Sequence, residues 1–439
     1  MSTQFQLLKE QRFRPFFVTQ FLGAFNDNVF KTALITLVAF HASNLTAMSG
    51  STLATLLPAL FILPFFLFSA TAGQLADKYE KSRIIRIIKM FEIAIMLFAS
   101  AGFFMNNIWL LATALFMMGM HSTFFGPVKY SYLPQHLAEQ ELVGGNGMVE
   151  MGSFVAILLG QVLGAWLGAQ DAHATMTSIA ILFIAALGYW FSRKIPCTPA
   201  TAPHLKINWN PFTETLHNLR FAWAHQQIWL ALVAISWFWF YGATLLAQFP
   251  NFAKSVLNGD ESAFILLLST FSLGIGIGSL LCEKLSAGKV ELGLVLFGGL
   301  GMTFFGADIY LATANLHTTL EVQRNFLNFL SSFAELRLIA DIILLGIFAG
   351  FYIVPLYVLM QTRAEKSHQS RVIAANNILN ALLMVASAGF SMWMFEMGFD
   401  IPQLFLLTAL VNILVMLYLC LRQPEYFSAF VGWLKRISN

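Results

Sequence analysis

The sequence predicts an all-α membrane protein with about twelve transmembrane helices in two pseudo-symmetric six-helix bundles. Three observations predict it: composition, the recurrence of apolar runs of one length, and the distribution of positive charge between them. The chain has 439 residues, 58% hydrophobic, 15% aromatic and 11% charged, with a mean hydropathy of +0.70. A soluble domain carries about 25% charged residues. A water-soluble fold could not hide this much apolar surface, so lipid must solvate much of it.

Runs of about 20 apolar residues mark membrane spans. They fall at Phe13–His41, Thr52–Ala76, Ile84–Met105, Ile108–Leu133, Leu142–Ala169, Thr175–Arg193, Trp229–Phe252, Ala263–Cys282, Val290–Ala314, Leu338–Met360, Val372–Met397 and Pro402–Leu421. The first is too long for a signal peptide, contains Asp27 and lacks a cleavage-site pattern, so a retained span is expected. Residues 1–195 form one bundle and 228–439 the other. Residues 196–227 are a cytoplasmic linker holding Pro196, Pro199, Pro203 and Pro211. Its amphipathic run "NPFTETLHNLRFAWAHQQ" is expected on the membrane surface or over a helix gap. The tail "YFSAFVGWLKRISN" reads as a short interfacial helix. Between spans 9 and 10, Leu316, Leu320, Phe326, Leu327, Leu330 and Phe333 follow helical spacing, with Glu321, Arg324 and Asn325 outside the stripe. That segment is expected to be an outward-facing interfacial element.

Orientation follows from Lys and Arg in the loops. Positive residues cluster before span 1 (Lys9, Arg12, Arg14), between spans 2 and 3 (Lys78, Lys81, Arg83, Arg86) and in the linker (Arg193, Lys194, Lys206, Arg220). They recur between spans 10 and 11 (Arg363, Lys366, Arg371) and after span 12 (Arg422, Lys435, Arg436). Intervening loops are poor in positive charge. Both termini are therefore expected in the cytoplasm. A net charge of +3 without a basic tract argues against nucleic acid. Cys197, Cys282 and Cys420 fit neither a disulfide framework nor a metal site.

The halves carry a weak internal repeat. "GPVKYSYLPQ" ends span 4 and "VPLYVLMQ" ends span 10; "GGNGMVE" opens span 5 and "AANNILN" opens span 11. Pro127 thus matches Pro355, and Asn146 matches Asn376. Parallel repeats of this kind build transporters with a site near the bilayer midplane.

The loop "GQLADKYEKSR", Gly73 to Arg83, has a glycine, an acid four residues on and then a basic cluster. It resembles the signature of the major facilitator superfamily in that loop, and implies that superfamily's fold. Gly73 would let two helices approach. Asp77 would pair with a base or cap a neighbouring helix, making Gly73, Asp77, Lys78 and Arg83 a conformational latch. A plain positive-inside loop is the weaker reading, because position and composition agree. In the second half, "GSLLCEKLSAGK" keeps Gly278 but has Cys282 at the position of Asp77.

The most informative stretch is "QFLGAFNDNVFK" in span 1. Gln20, Gly23 or Ala24, Asp27 and Lys31 share a helix face, and Asp27 lies about 20 Å along the helix, near mid-membrane. A charge there costs about 2.5–3.5 kcal/mol even on lenient scales. Asp27 and Lys31 could cancel as a structural i, i+4 pair, but that would not require Asn26 and Asn28, which point elsewhere. Lys129 follows Gly126-Pro127, which should break or kink span 4, and Glu150 sits about two turns inside span 5. His121 reads as a packing residue. Glu92 with Lys89, Asp308 and Asp341 read as shallower and structural. The second half offers Gln248, Asn376, Asn377, Asn380 and Asn412 among Phe and Leu. Charge on one side and apolar surface on the other suits an amphipathic substrate.

"QFLGAFNDNVFK", "FFGPVKYSYLPQHL", "GGNGMVEMGSFVAILLG" and "SRVIAANNILNALLMV" together resemble the bacterial lysophospholipid transporter family of that superfamily. The likeness is strongest to its branch fused to acyltransferase and acyl-activating domains. It implies return of lysophospholipids such as lysophosphatidylethanolamine to the cytoplasmic leaflet for reacylation. It further implies substrate contacts at Asp27, Lys129 and Glu150; Gln20, Asn28, Lys31, Asn376 and Asn380 join them as candidates because they are polar residues set within apolar spans. Family members can carry an arginine near Leu246 or Ala247; this chain does not, and Gln248 is the candidate substitute. No cofactor is expected beyond a possible coupling cation, Na+ or H+. The partners expected are the lysophospholipid, membrane lipids and a separate acyltransferase or acyl-ACP synthetase. A carrier of drugs or siderophores is the alternative within the class. A lipid enzyme is disfavoured, because no "HxxxxD" pattern or histidine cluster is present.

Overall fold

The computed structural model describes residues 4–45, 50–170, 172–314, 324–331 and 333–438. Among the described residues, twelve long helices are α1 (Arg14–Leu45), α2 (Gly50–Lys78), α3 (Lys81–Phe104), α4 (Ile108–His136), α5 (Leu142–Gly168), α6 (His173–Ser192), α8 (Gln226–Asn251), α9 (Glu261–Ser286), α10 (Leu292–Ala314), α12 (Phe333–Arg363), α13 (Gln369–Glu396) and α14 (Ile401–Arg422). Three short ones are α7 (Pro211–Ala224), α11 (Phe326–Phe329) and α15 (Glu425–Ser438). Eleven of the long helices are apolar and long enough to cross a bilayer by composition alone. The remaining one, α1, carries the polar run Asn26-Asp27-Asn28. The chain is a multi-pass membrane protein.

Local chemistry sets several helix starts. The Glu80 carboxylate accepts the Ser82 and Arg83 N–H groups, allowing a tight turn from α2 into α3. Asn107 caps α4 in the same way, and Asp400 with Gln403 forms a capping box on α14. Each satisfies backbone donors that a helix cannot bond internally. Gly126-Pro127 does not break α4, a break being one of the two outcomes expected of it. The helix runs unbroken from Ile108 to His136, and Ser131 Oγ donates to the Pro127 carbonyl at 2.6 Å. With no water competing for the remaining backbone bonds, the loss of one N–H does not unwind a membrane helix.

The chain divides into two compact units that are not contiguous in sequence. Unit 1 comprises Met1–Ala138, Val155–His225 and Gln361–Ala381; unit 2 comprises Glu139–Phe154, Gln226–Met360 and Leu382–Asn439. Thus α5 and α13 each contribute residues to both units.

In unit 1, Val29, Phe30 and Ala33 of α1 pack with Ile95 and Met96 of α3, Leu111 and Leu115 of α4, and Ile181 and Ala185 of α6. Gly160, Gly164 and Gly168 of α5 press on the α1 backbone. A Cβ at these positions would lie 2.7 Å from Phe25 O, 2.5 Å from Val29 O and 2.7 Å from Ala33 O respectively. This small-residue ladder, which lets two membrane backbones meet, is a pattern the sequence reading passed over. In the linker, α7 starts on an Asn210 cap, and the Gln74 side chain is bonded both ways to the Asn208 backbone.

In unit 2, Trp237 Nε1 donates to Asn412 Oδ1 at 2.7 Å, and Asn412 Nδ2 donates to Gly299 O at 2.7 Å. Asn412 is therefore a buried tie between α8, α10 and α14. The amphipathic α15 lies against the end of α9 and the start of α10: Trp433 Nε1 donates to Leu285 O of α9 at 3.0 Å, and Arg436 pairs with Glu291, just before α10, at 2.9 Å. Of the expected interfacial segment, Leu316, Leu320 and Glu321 lie outside the described residues. In the described part, Arg324 exchanges backbone bonds with Asn258 and Asp260 and pairs with Glu335. Phe329 is buried, whereas Phe326, Leu327, Leu330 and Phe333 are exposed.

Candidate functional site

Unit 1 gathers its buried charge where α1, α3, α4 and α6 meet. On α1, Asp27 Oδ2 accepts a hydrogen bond from Ser122 Oγ of α4 at 2.6 Å. Its second oxygen, Oδ1, is buried and has no hydrogen-bond partner among the described residues. Asp27 and Lys31 form no ion pair there. The Lys31 ammonium lies instead over the Phe61 ring of α2, 5.2 Å from its centroid. The two charges therefore do not cancel as a local pair, and Asp27 keeps a free acceptor.

The flanking asparagines point elsewhere, as the helical wheel requires. Asn26 is fully buried, and its Nδ2 donates to Glu92 Oε1 of α3 at 2.8 Å. Asn28 Nδ2 bonds back to Ala24 O at 2.8 Å, and its Cβ faces Gly160 of α5. Asn28 thus sits in the α1–α5 packing seam, away from Asp27.

Glu92 and Lys89 are not shallow, contrary to the sequence expectation, and His121 of α4 meets them: the relative exposures of the three are 0%, 0% and 3%. Lys89 Nζ bonds Glu92 Oε2, and His121 Nε2 comes to 3.2 Å of the same oxygen. Glu92 lies about 16 Å along α3 at 1.5 Å per residue, so its depth matches that of Asp27.

Of the other candidate residues, Gln20 is buried. Lys129 is half-buried with its ammonium 5.0 Å from the Tyr130 ring centroid. Glu150 is buried in the part of α5 belonging to unit 2. Asn376 is buried in unit 1, with Oδ1 lacking a partner among the described residues, and Asn380 is half-buried. Gln248 is half-buried on α8 and accepts a long bond from Asn251, 3.5 Å.

A second constellation closes around Asp77 at the end of α2. Asp77 is fully buried. Its Oδ1 accepts the Ser370 N–H at 3.1 Å, capping the start of α13, and its Oδ2 accepts Arg371 Nε at 3.2 Å. Gly73 makes the approach possible: a Cβ there would stand 2.7 Å from Ala374 Cβ and 2.9 Å from Ser370 O. The Asp77 carbonyl also accepts the linker's Thr201 and Ala202 N–H groups at 3.1 and 2.8 Å. Lys78 and Arg83, grouped with Asp77 on sequence grounds, do not join it. Lys78 lies over Tyr79, 5.7 Å from its ring centroid, and Arg83 is exposed. Helical spacing turns Lys78 away by about 100°, and Arg83 lies beyond the turn, in α3. The basic partners are instead Arg371, on a helix remote in sequence, and the buried Lys81.

Beside Asp77, burial alone would raise the Glu80 carboxyl. Hydrogen bonds from the Ser82 side chain, the Thr198 N–H and the Ser82 and Arg83 N–H groups outweigh it and hold the group below the usual carboxylate range. A lowered folded value adds stability above the unfolded value and loses it as pH falls through the folded one. The Glu80 tie to the linker is therefore present at neutral pH.

Unit 2 contains a small apolar pocket of roughly 60 Å³ between α5, α8, α9 and α13, lined by residues including Phe154, Phe238, Trp239, Leu246 and Met384. A Cβ added at Gly242, on the same wall, would meet nothing within 4 Å.

Comparison with known proteins places these features in a family. Residues 16–322 match the profile of the Major Facilitator Superfamily. The chain is 26% identical over 379 residues to the lysophospholipid transporter LplT of Enterobacter sp. (strain 638), covering 84% of this chain and 85% of that one. It is 28% identical over 365 residues to LplT of Escherichia coli O1:K1 / APEC, covering 82% and 83% respectively. Among solved structures, the human organic anion transporter MFSD10 superposes with a TM-score of 0.73 at 14% identity, over 92% of this chain and 99% of that one. The Escherichia coli fucose:proton symporter gives 0.67 at 14% identity, over 93% and 98%.

Proposed function

Because this chain belongs to the Major Facilitator Superfamily, we propose that it is a carrier, not an enzyme, which moves lysophospholipids across a bacterial inner membrane to the cytoplasmic leaflet by alternating access. The substrate class rests on likeness to lysophospholipid transporters over more than four-fifths of the chain. The observation that carries it to residues is Asp27, whose buried Oδ1 has no hydrogen-bond partner among the described residues. A carboxylate in that setting suits the ammonium of an ethanolamine head group, and Lys31 suits its phosphate. The test is a leaflet-resolved uptake assay with labelled lysophosphatidylethanolamine in proteoliposomes. Movement without chemical change supports a carrier, and chemical conversion would refute it. Running the assay with and without Na+ or H+ gradients tests for a coupling cation.

In this reading the apolar pocket of unit 2 receives part of an acyl chain, since methylenes gain about 0.8 kcal/mol each on leaving water. Gly242→Phe should fill it. Uptake of long-chain lysolipid is expected to fall about fivefold, with short-chain substrate nearly unaffected. Equal effects on both chain lengths would remove the pocket from the substrate path.

Termini in the cytoplasm complete the proposal. The exposed natural Cys197 of the linker should react with an impermeant thiol reagent only after the cells are opened. A cysteine replacing the exposed Ser331 should react in intact cells once the outer membrane is permeabilised. The reverse pattern would invert the topology.

A further inference from the structure

The buried Lys89–Glu92–His121 set has no place in the head-group reading so far, yet it is costly. Two charges taken fully out of water are repaid only with good geometry and extra hydrogen bonds, and apolar replacements often do as well. What the set touches indicates its use. Glu92 Oε1 takes the Asn26 amide of α1 at 2.8 Å, while Oε2 takes Lys89 and is approached by His121 of α4 at 3.2 Å. Asn26 directly precedes Asp27, and His121 directly precedes Ser122. Those next residues bond each other, Ser122 Oγ to Asp27 Oδ2 at 2.6 Å.

Successive helical residues are rotated by about 100°. Holding Asn26 against Glu92 fixes the azimuth of α1 and so the direction of Asp27. Holding His121 against the same carboxylate fixes α4 and so Ser122. One carboxylate of α3 thus registers two helices. Lys89 holds the Glu92 carboxylate in place, and its own path is made by glycine. A Cβ at Gly188 of α6 would stand 2.7 Å from Lys89 Cε and 2.8 Å from Nζ, and one at Gly23 of α1 would stand 3.5 Å from Nζ.

We infer that Glu92, seated by Lys89, is a positioning residue that aims Asp27 and Ser122 at the substrate head group through Asn26 and His121. The inference rests on the reading of Asp27 as the head-group acid.

Its test is lysophosphatidylethanolamine uptake by the purified full chain in proteoliposomes, per folded carrier, for Asn26→Ala, Glu92→Gln, Gly188→Ala and Asp27→Asn. The first three are expected to raise KM about fivefold with maximal rate within about twofold, the pattern of lost binding. A merely structural role would lower protein yield and Tm and leave KM per folded carrier unchanged. Glu92→Gln strands the Lys89 charge; if that variant does not fold, Asn26→Ala decides, because it leaves the ion pair whole. Native KM in Asn26→Ala and Gly188→Ala alongside a crippled Asp27→Asn would overturn the positioning role alone. A native Asp27→Asn would instead overturn the head-group reading beneath it.

Discussion

Asp27→Asn, correctly inserted and folded, is expected to take up lysophosphatidylethanolamine at no more than about a tenth of the native rate. Hydrogen bonds to charged groups contribute about 1.5–3 kcal/mol, and each 1.4 kcal/mol is tenfold. The substitution keeps an oxygen near Ser122 Oγ, which now donates to Asp27 Oδ2 at 2.6 Å, so α1 and α4 stay tied. What it removes is the charge behind the unpartnered Oδ1. Lys31 does not consume that charge, because its ammonium rests over Phe61. Asp27→Glu should retain part of the activity, since the charge survives and only its reach changes. Native uptake by Asp27→Asn would return Asp27 to a structural role.

Asp77→Ala is expected to shift the carrier between its inward- and outward-facing states while leaving substrate affinity within about threefold. Asp77 caps α13 at Ser370 and pairs with Arg371 from a fully buried position. Removing one partner of such a pair costs about 3–5 kcal/mol, because the other charge stays buried and unpaired. A conformational equilibrium that depends on this contact should move by a large part of that amount. Asp77→Asn keeps an acceptor for the Ser370 N–H but loses the charge on Arg371, so its shift should be smaller. Cysteines placed along the transport path and labelled from each side report the balance. An unchanged labelling pattern with weakened binding would refute the latch.

The sequence by itself determined the membrane fold. Length and hydropathy of the apolar runs suffice, because in lipid a spanning chain has few ways to satisfy its backbone. The starts of α4 and α14 fall within one residue of the apolar runs Ile108–Leu133 and Pro402–Leu421, because Asn107 and Asp400 act on N–H groups only two or three residues away. The anomaly in α1 was equally visible, since a carboxylate amid apolar residues needs a reason wherever its neighbours lie.

Only the tertiary structure decided what each polar residue does. Asn26, Asp27 and Asn28 are adjacent in the chain, yet they face Glu92, Ser122 and the Gly160 seam on three different helices. Asp77 meets Arg371, 294 residues away, while its neighbour Lys78 turns aside. Glu92 read as one half of a local pair with Lys89; its bonds to α1 and contact with α4 depend on how three helices pack. Helical geometry fixes which way a side chain leaves its own axis. Its partner depends on close packing between axes, where a single glycine such as Gly73 or Gly188 decides whether two helices approach within bonding distance.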